Sequence, residues 1–135
     1  LIVAAFATEK GMATVRVLLI TDSALVEMGM RMVLDPATRG IELLWRVSPS
    51  LGLAECVNGQ ALDMIVIDLD TQGGRRLGLA TRVLGLRPQS TVVTLTVVPG
   101  DDEAAHANVL GVKAYLSKDL KRNELDDALR ALLKP

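Results

Sequence analysis

Apolar residues along this chain come in short runs, and two periods alternate. Val15–Ile20, Met64–Ile67 and Thr91–Thr96 are runs of β-formers with few polar positions. Such runs predict strands buried on both faces, as in the middle of a parallel sheet. Ile41, Leu43, Trp45 and Val47 instead alternate with Glu42, Leu44 and Arg46. That period of two predicts an edge strand covered mainly on one face. Lys113–Leu116 predicts a short fifth strand. The segments between have helical spacing. Leu25, Met28, Met32 and Val33 predict the inner face of a helix that Ser23 caps and Asp35-Pro36 stops. Ser48-Pro49 opens a short helix through Leu53, Ala54 and Val57, which ends at Asn58-Gly59. Arg75–Leu86 predicts a helix with Leu77, Ala80 and Leu84 inward. Asp101, Asp102 and Glu103 open another, which ends at Gly111. A last helix carries Leu125, Leu129, Leu132 and Leu133 on one face. Strands alternating with helices in this way predict an α/β fold: one doubly wound, mostly parallel five-stranded sheet with helices on both faces.

Composition narrows the picture. A chain of 135 residues predicts one domain with a core large enough to fold unaided. The net charge of −1 gives no ground for nucleic-acid or membrane binding. The one cysteine, Cys56, excludes an internal disulfide and fits a reducing compartment, the cytoplasm. No apolar run reaches the roughly 18 residues of a membrane span. Residues 1–11 stand apart. Leu1–Ala7 is apolar but too short, and lacks the basic flank, to be a signal peptide. The segment reads as a leader added ahead of a domain that starts at Met12 and occupies residues 12–135. The rival reading is a genuine extension packed on the domain.

Candidate chemistry gathers on Asp68, which ends the third apolar run and is followed by Asp70, Gly73 and Gly74. Open α/β sheets place their sites at the C-terminal ends of central strands. Asp22 ends the first strand, Thr96 the fourth, and Lys118 follows the fifth. Two neighbouring carboxylates suit a hard divalent cation, Mg²⁺ before Zn²⁺. A lysine is a point charge suited to phosphate oxygens, and a threonine hydroxyl can donate to a phosphoryl oxygen. Together they form an apparatus for placing a phosphoryl group on a carboxylate.

On these residues the chain resembles the receiver domains of two-component response regulators. Ile20-Thr21-Asp22, the stretch Asp63 to Asp68, Leu95-Thr96 and Ala114-Tyr115-Leu116-Ser117-Lys118-Asp119 carry the resemblance, which covers Val15 to about Leu133. Gly111 to Asp119 with Glu124-Leu125 is similar to the subfamily whose receivers precede a helix-turn-helix DNA-binding domain. The resemblance implies a flavodoxin-like fold with strand order 2-1-3-4-5. It implies Asp68 as phospho-acceptor, Asp22 and Asp68 as Mg²⁺ ligands, and Lys118 as partner of the phosphoryl group. Thr96 would move toward that group, and Tyr115 would change rotamer as the readout. A histidine kinase, a homodimer and a DNA-binding output domain outside these residues are the implied partners, with no nucleic acid bound by this stretch itself. Two departures stand out. Thr21 replaces one of the family's two acids, which predicts a weakened Mg²⁺ site. Thr71-Gln72-Gly73 replaces the family's Met-Pro-Gly.

Two other functions fit parts of the sequence. A divergent receiver could serve as a dimerisation or interaction module without phosphorylation. Asp68-Leu69-Asp70-Thr71 also resembles the Asp-x-Asp of haloacid dehalogenase-type phosphatases. Their threonine, however, falls where this chain has Gln72, their lysine precedes the last acids, and their nucleophile strand opens the chain. Elsewhere the plainer readings hold: His106 as a surface residue, Cys56 as a small core residue, and Met28, Met30 and Met32 as helix packing. Arg75, Arg76, Arg82 and Arg87 read as a solvated helix face.

Overall fold

The computed structural model describes residues 15–34, 62–71 and 76–133, and the backbone of residues 41–47. The leader 1–11, the Asp35-Pro36 stop and the helix expected between Ser48 and Gly59 lie outside the described residues. Five strands, β1 (Val15–Ile20), β2 (Ile41–Val47), β3 (Met64–Asp68), β4 (Thr91–Thr96) and β5 (Ala114–Ser117), form one sheet in the order β2-β1-β3-β4-β5. Every pairing is parallel. The described helices are α1 (Ala24–Val33), α2 (Leu77–Leu86), α3 (Asp101–Leu110) and α4 (Arg122–Leu133). Among the described residues no helix is long and apolar enough to cross a membrane. The sheet is the flavodoxin-like one, with the alternating strand at an edge and the apolar runs at its centre.

Strand alternation divides the core in two. Leu18, Ile20, Ile65, Ile67 and Val92 point to one face, where Leu77, Ala80 and Val83 of α2 and Ala107 of α3 cover them. Val15, Val17, Leu19, Met64, Val66, Val93 and Leu95 point to the other, under Met30 and Val33 of α1 and Leu129 of α4. All five residues of β3 are buried. Each large aliphatic side chain removed from water this way contributes about 1.5–3 kcal/mol. The resulting sandwich fixes the strand ends that carry the polar residues.

Helix ends follow local chemistry. The Ser23 hydroxyl accepts the Val26 N–H at 3.2 Å and caps α1. Gly111, at φ 108°, closes α3 in the left-handed region where a side chain would be strained. Helix α1 departs from expectation in which stripe it buries. Met30 and Val33 are buried and Val26 packs beside them, whereas Leu25, Met28 and Met32 are 77%, 62% and 57% exposed. This helix has apolar residues on two adjacent stripes, so spacing alone does not decide which one faces the sheet. Leu25 and Met32 line a shallow groove with Leu120 and Leu125. In α2 the inner face is Leu77, Leu79, Ala80 and Val83, with Leu84 only partly buried at its margin.

Candidate functional site

Three strands deliver the site. β3 ends in Asp68, β4 ends in Thr96 beside it, and β5 runs on to Lys118. The Asp68↔Leu95 and Thr96↔Ser117 register keeps these ends level. The N–H of Leu69 donates to the Leu95 carbonyl at 2.9 Å, and the N–H of Lys118 to the Thr96 carbonyl at 2.9 Å. Sheet pairing therefore continues past each strand end and holds the loops in place.

Asp68 is 1% exposed. A buried carboxylate needs its oxygens satisfied, and here both are. Thr21 Oγ1 donates to Asp68 Oδ2 at 2.6 Å. On Oδ1, Lys118 Nζ sits at 2.7 Å and the Asp70 N–H at 2.9 Å. Lys118 also bonds Asp70 Oδ2 at 3.0 Å. Burial pushes the Lys118 ammonium down, but its hydrogen bonds to Asp68 and Asp70 outweigh this and raise it above the ordinary lysine value.

Asp70 turns inward as well. Its carboxylate accepts the Thr96 hydroxyl at 2.9 Å, the Val97 N–H at 2.8 Å and Arg76 Nη1 at 3.1 Å. Burial favours its neutral form, yet the bonds from Lys118, Val97, Thr96 and Arg76 prevail and hold the pKa down at about 2. Thr96 in turn accepts Arg76 Nη2 at 3.0 Å and the Val98 N–H at 3.1 Å.

Arg76 links this cluster to α3. Its Nε and Nη2 donate side by side to the two Glu103 oxygens, each at 2.6 Å. Such a paired geometry is among the strongest of charge-assisted bonds. Glu103 also accepts the Tyr115 hydroxyl at 2.6 Å, and that hydroxyl accepts the Gly100 N–H at 3.1 Å. The Arg76 guanidinium holds the Glu103 carboxyl below its usual range. Burial, then the bond to Glu103, pushes the Tyr115 phenol up. Arg76 itself stands at φ 51° and is the only non-glycine residue at positive φ among those described. A conformation of this kind costs about 1–3 kcal/mol, which the five bonds of its side chain offset.

Asp68, Thr96 and Lys118 thus share one cluster, and Tyr115 joins it through Glu103 and Arg76. Asp22 follows Thr21 on the exposed side of the turn. Thr21 Oγ1 is the donor on Asp68 Oδ2, an oxygen that keeps a second lone pair for a cation, and Asp22 beside Thr21 is the other residue that would hold Mg²⁺. Among the described residues no three His, Cys, Asp or Glu side chains are placed to share a metal. Sequence reasoning missed Arg76, which read as one of a solvated basic run, and Glu103, which read as a helix-dipole residue. Neither has a sequence signal for its partner, because the ion pair spans 27 positions.

No family model and no curated protein matches this chain. Solved structures do. A LuxR-family two-component response regulator from Aurantimonas sp. SI85-9A1 aligns over 90% of this chain and 86% of its own, with TM-score 0.78 and 21% identity. RcsB from Salmonella typhimurium aligns over 90% of this chain and 62% of its own, with TM-score 0.78 and 19% identity. A response regulator from Thermotoga maritima aligns over 90% and 98%, with TM-score 0.77 and 16% identity. The chain shares the receiver-domain fold with all three.

Proposed function

We propose that this chain is the receiver module of a response regulator and accepts a phosphoryl group on Asp68 from a histidine kinase or a small phosphodonor. The observation that carries this reading is the Lys118 ammonium seated 2.7 Å from a buried carboxylate at the end of the central strand. In the transfer, an Asp68 oxygen bonds to phosphorus as the donor's bond to phosphorus breaks, and the leaving group keeps the electron pair. Lys118 neutralises charge on the transferred oxygens. The Thr96 hydroxyl, which now donates to Asp70, turns toward them. Tyr115, at the far end of the polar chain, is the readout on the α3–β5 face. Asp22 and Asp68 would hold a Mg²⁺ that adds to the neutralisation by Lys118 when bound. A DNA-binding output domain, a homodimer and a cytoplasmic setting complete the reading. Likeness to a LuxR-family regulator, and to RcsB, described in terms of DNA interaction, supports the output.

A second reading, an interaction module that works without phosphorylation, is favoured by Thr21, whose hydroxyl bonds to Asp68 where the receivers usually have an acid. The phosphatase reading is disfavoured by Asp70. A carboxyl held at a pKa of about 2, against its burial, by bonds from Lys118, the Val97 N–H, Thr96 and Arg76 is a poor general acid.

The test is intact mass after incubation with acetyl phosphate and Mg²⁺, on the chain and on Asp70→Ser, which removes a competing anion. A gain of one phosphoryl group that Asp68→Asn abolishes is the expected result. No gain in either folded protein, or a gain that persists in Asp68→Asn, overturns the proposal.

A further inference from the structure

We infer that the Asp70 carboxylate is a built-in anion that occupies the donor set meant for a phosphoryl group, closing the path to Tyr115 without phosphorylation. The inference rests on the receiver reading above.

The donors carry the argument. Lys118 Nζ, the Thr96 hydroxyl and the Val97 N–H come from two separate strand ends and converge on one carboxylate at 3.0, 2.9 and 2.8 Å. Lysine and threonine at these positions are the groups suited to phosphoryl oxygens, and a main-chain N–H is a third donor of the same kind. Arg76 Nη1 adds a fourth at 3.1 Å. A carboxylate has about four lone-pair sites, so Asp70 is fully satisfied and leaves no vacancy in the set. Its own N–H bonds Asp68 Oδ1 at 2.9 Å, which ties the anion beside the acceptor.

Charge and connectivity agree. Asp68, Asp70 and Glu103 already face Lys118 and Arg76, three carboxylates to two cations. A phosphoryl group brings roughly two negative charges at neutral pH and must displace Asp70 from Lys118 and Thr96. From Asp70 the bonds run without a break through Arg76 and Glu103 to the Tyr115 hydroxyl. The strained backbone at Arg76 (φ 51°) is held by that same chain of bonds. The wild-type chain therefore rests in a closed state, and phosphorylation competes with Asp70 instead of creating the state.

The experiment combines a rate with a readout independent of labelling. Tyr115 is the chain's only tyrosine, so ¹³C-tyrosine labelling gives one ring signal to follow by NMR. Asp70→Ser should label at Asp68 about tenfold faster than wild type with acetyl phosphate, the order expected when one close like charge is removed. Its Tyr115 signal should move from the wild-type position, and Mg²⁺ with beryllium fluoride, a tetrahedral phosphoryl analogue, should return it. Wild type should show no shift with the analogue. Asp70→Asn, which keeps the shape and drops the charge, should follow Asp70→Ser and guards against a folding defect. Equal labelling rates with an unmoved Tyr115 signal would sink the inference and leave the receiver reading intact. No labelling of Asp68 in any variant would remove the receiver reading and the inference with it.

Discussion

The Thr21 hydroxyl donates to Asp68 Oδ2 at 2.6 Å, with both side chains buried. The same Thr21 oxygen accepts the Ser23 N–H at 3.0 Å and so also shapes the entry into α1. Thr21→Val keeps the volume and removes the donor. It should cost about 1–3 kcal/mol, the penalty of leaving a buried acceptor unsatisfied, read as a fall in urea midpoint at unchanged m-value.

Thr21→Asp should behave differently. It places a second carboxylate against Asp68, and like charges at close range disfavour the folded state. The variant should melt below wild type in chelator, and Mg²⁺ should restore its Tm, because a ligand that binds only the native state stabilises it by mass action. Wild type should show little response to Mg²⁺. Equal Mg²⁺ responses in the two proteins would contradict the reading of Thr21 as the residue that weakens the metal site.

Acid should weaken the fold through Asp70. Its folded pKa of about 2 lies below the ordinary carboxylate value. The unfolded chain therefore takes up the proton first. The contribution of Asp70 is present above about pH 4 and is lost as pH falls toward 2. Asp70→Asn should lower stability at pH 7 by about 1–3 kcal/mol and flatten the acid limb between these limits, as followed by denaturant titration at each pH.

Alkaline titration reads the other end of the chain. Tyr115 donates to Glu103, and burial and that bond raise its phenol above the ordinary tyrosine value. Absorbance at the tyrosinate band should show a single midpoint above about 10. Glu103→Gln removes the charged acceptor and should bring the midpoint down. A contribution of this sign is present below the ordinary phenol value and is lost as pH rises through the raised one.

At Arg76 two truncations separate strain from bonding. Arg76→Ala loses the guanidinium bonds and keeps a side chain at φ 51°. Arg76→Gly loses the same bonds and relieves the conformation. Glycine should be the more stable variant by about 1–3 kcal/mol, the reverse of the order at an ordinary helical position. Denaturant midpoints of the pair check it.

The sheet was readable because its signals are local. Three apolar runs and one alternating run are buried or edged by their own composition, and the β2-β1-β3-β4-β5 order is the one the receiver resemblance implies. Asp68, Thr96 and Lys118 were readable because strand ends converge in any such sheet. The pairing of Arg76 with Glu103 was not, since an arginine after two glycines looks like any solvated base until the fold brings α3 to it. Met28 and Met32 misled for a related reason: periodicity gives the angle between apolar positions and not which of two stripes meets the sheet. Asp70 lay between these cases, visible as a second acid but with no sequence rule for where it points.

The hydrogen bond from the Asp70 N–H to Asp68 Oδ1 at 2.9 Å has a thermodynamic consequence. A ligand carried on the chain two residues from its site has an effective concentration set by geometry and cannot be diluted away. A diffusing donor adds one anion at a time against a tethered one that returns at once. The resting state of this site is therefore independent of protein concentration. Phosphorylation of Asp68, protonation, unfolding or a partner that pulls Arg76 aside shifts it.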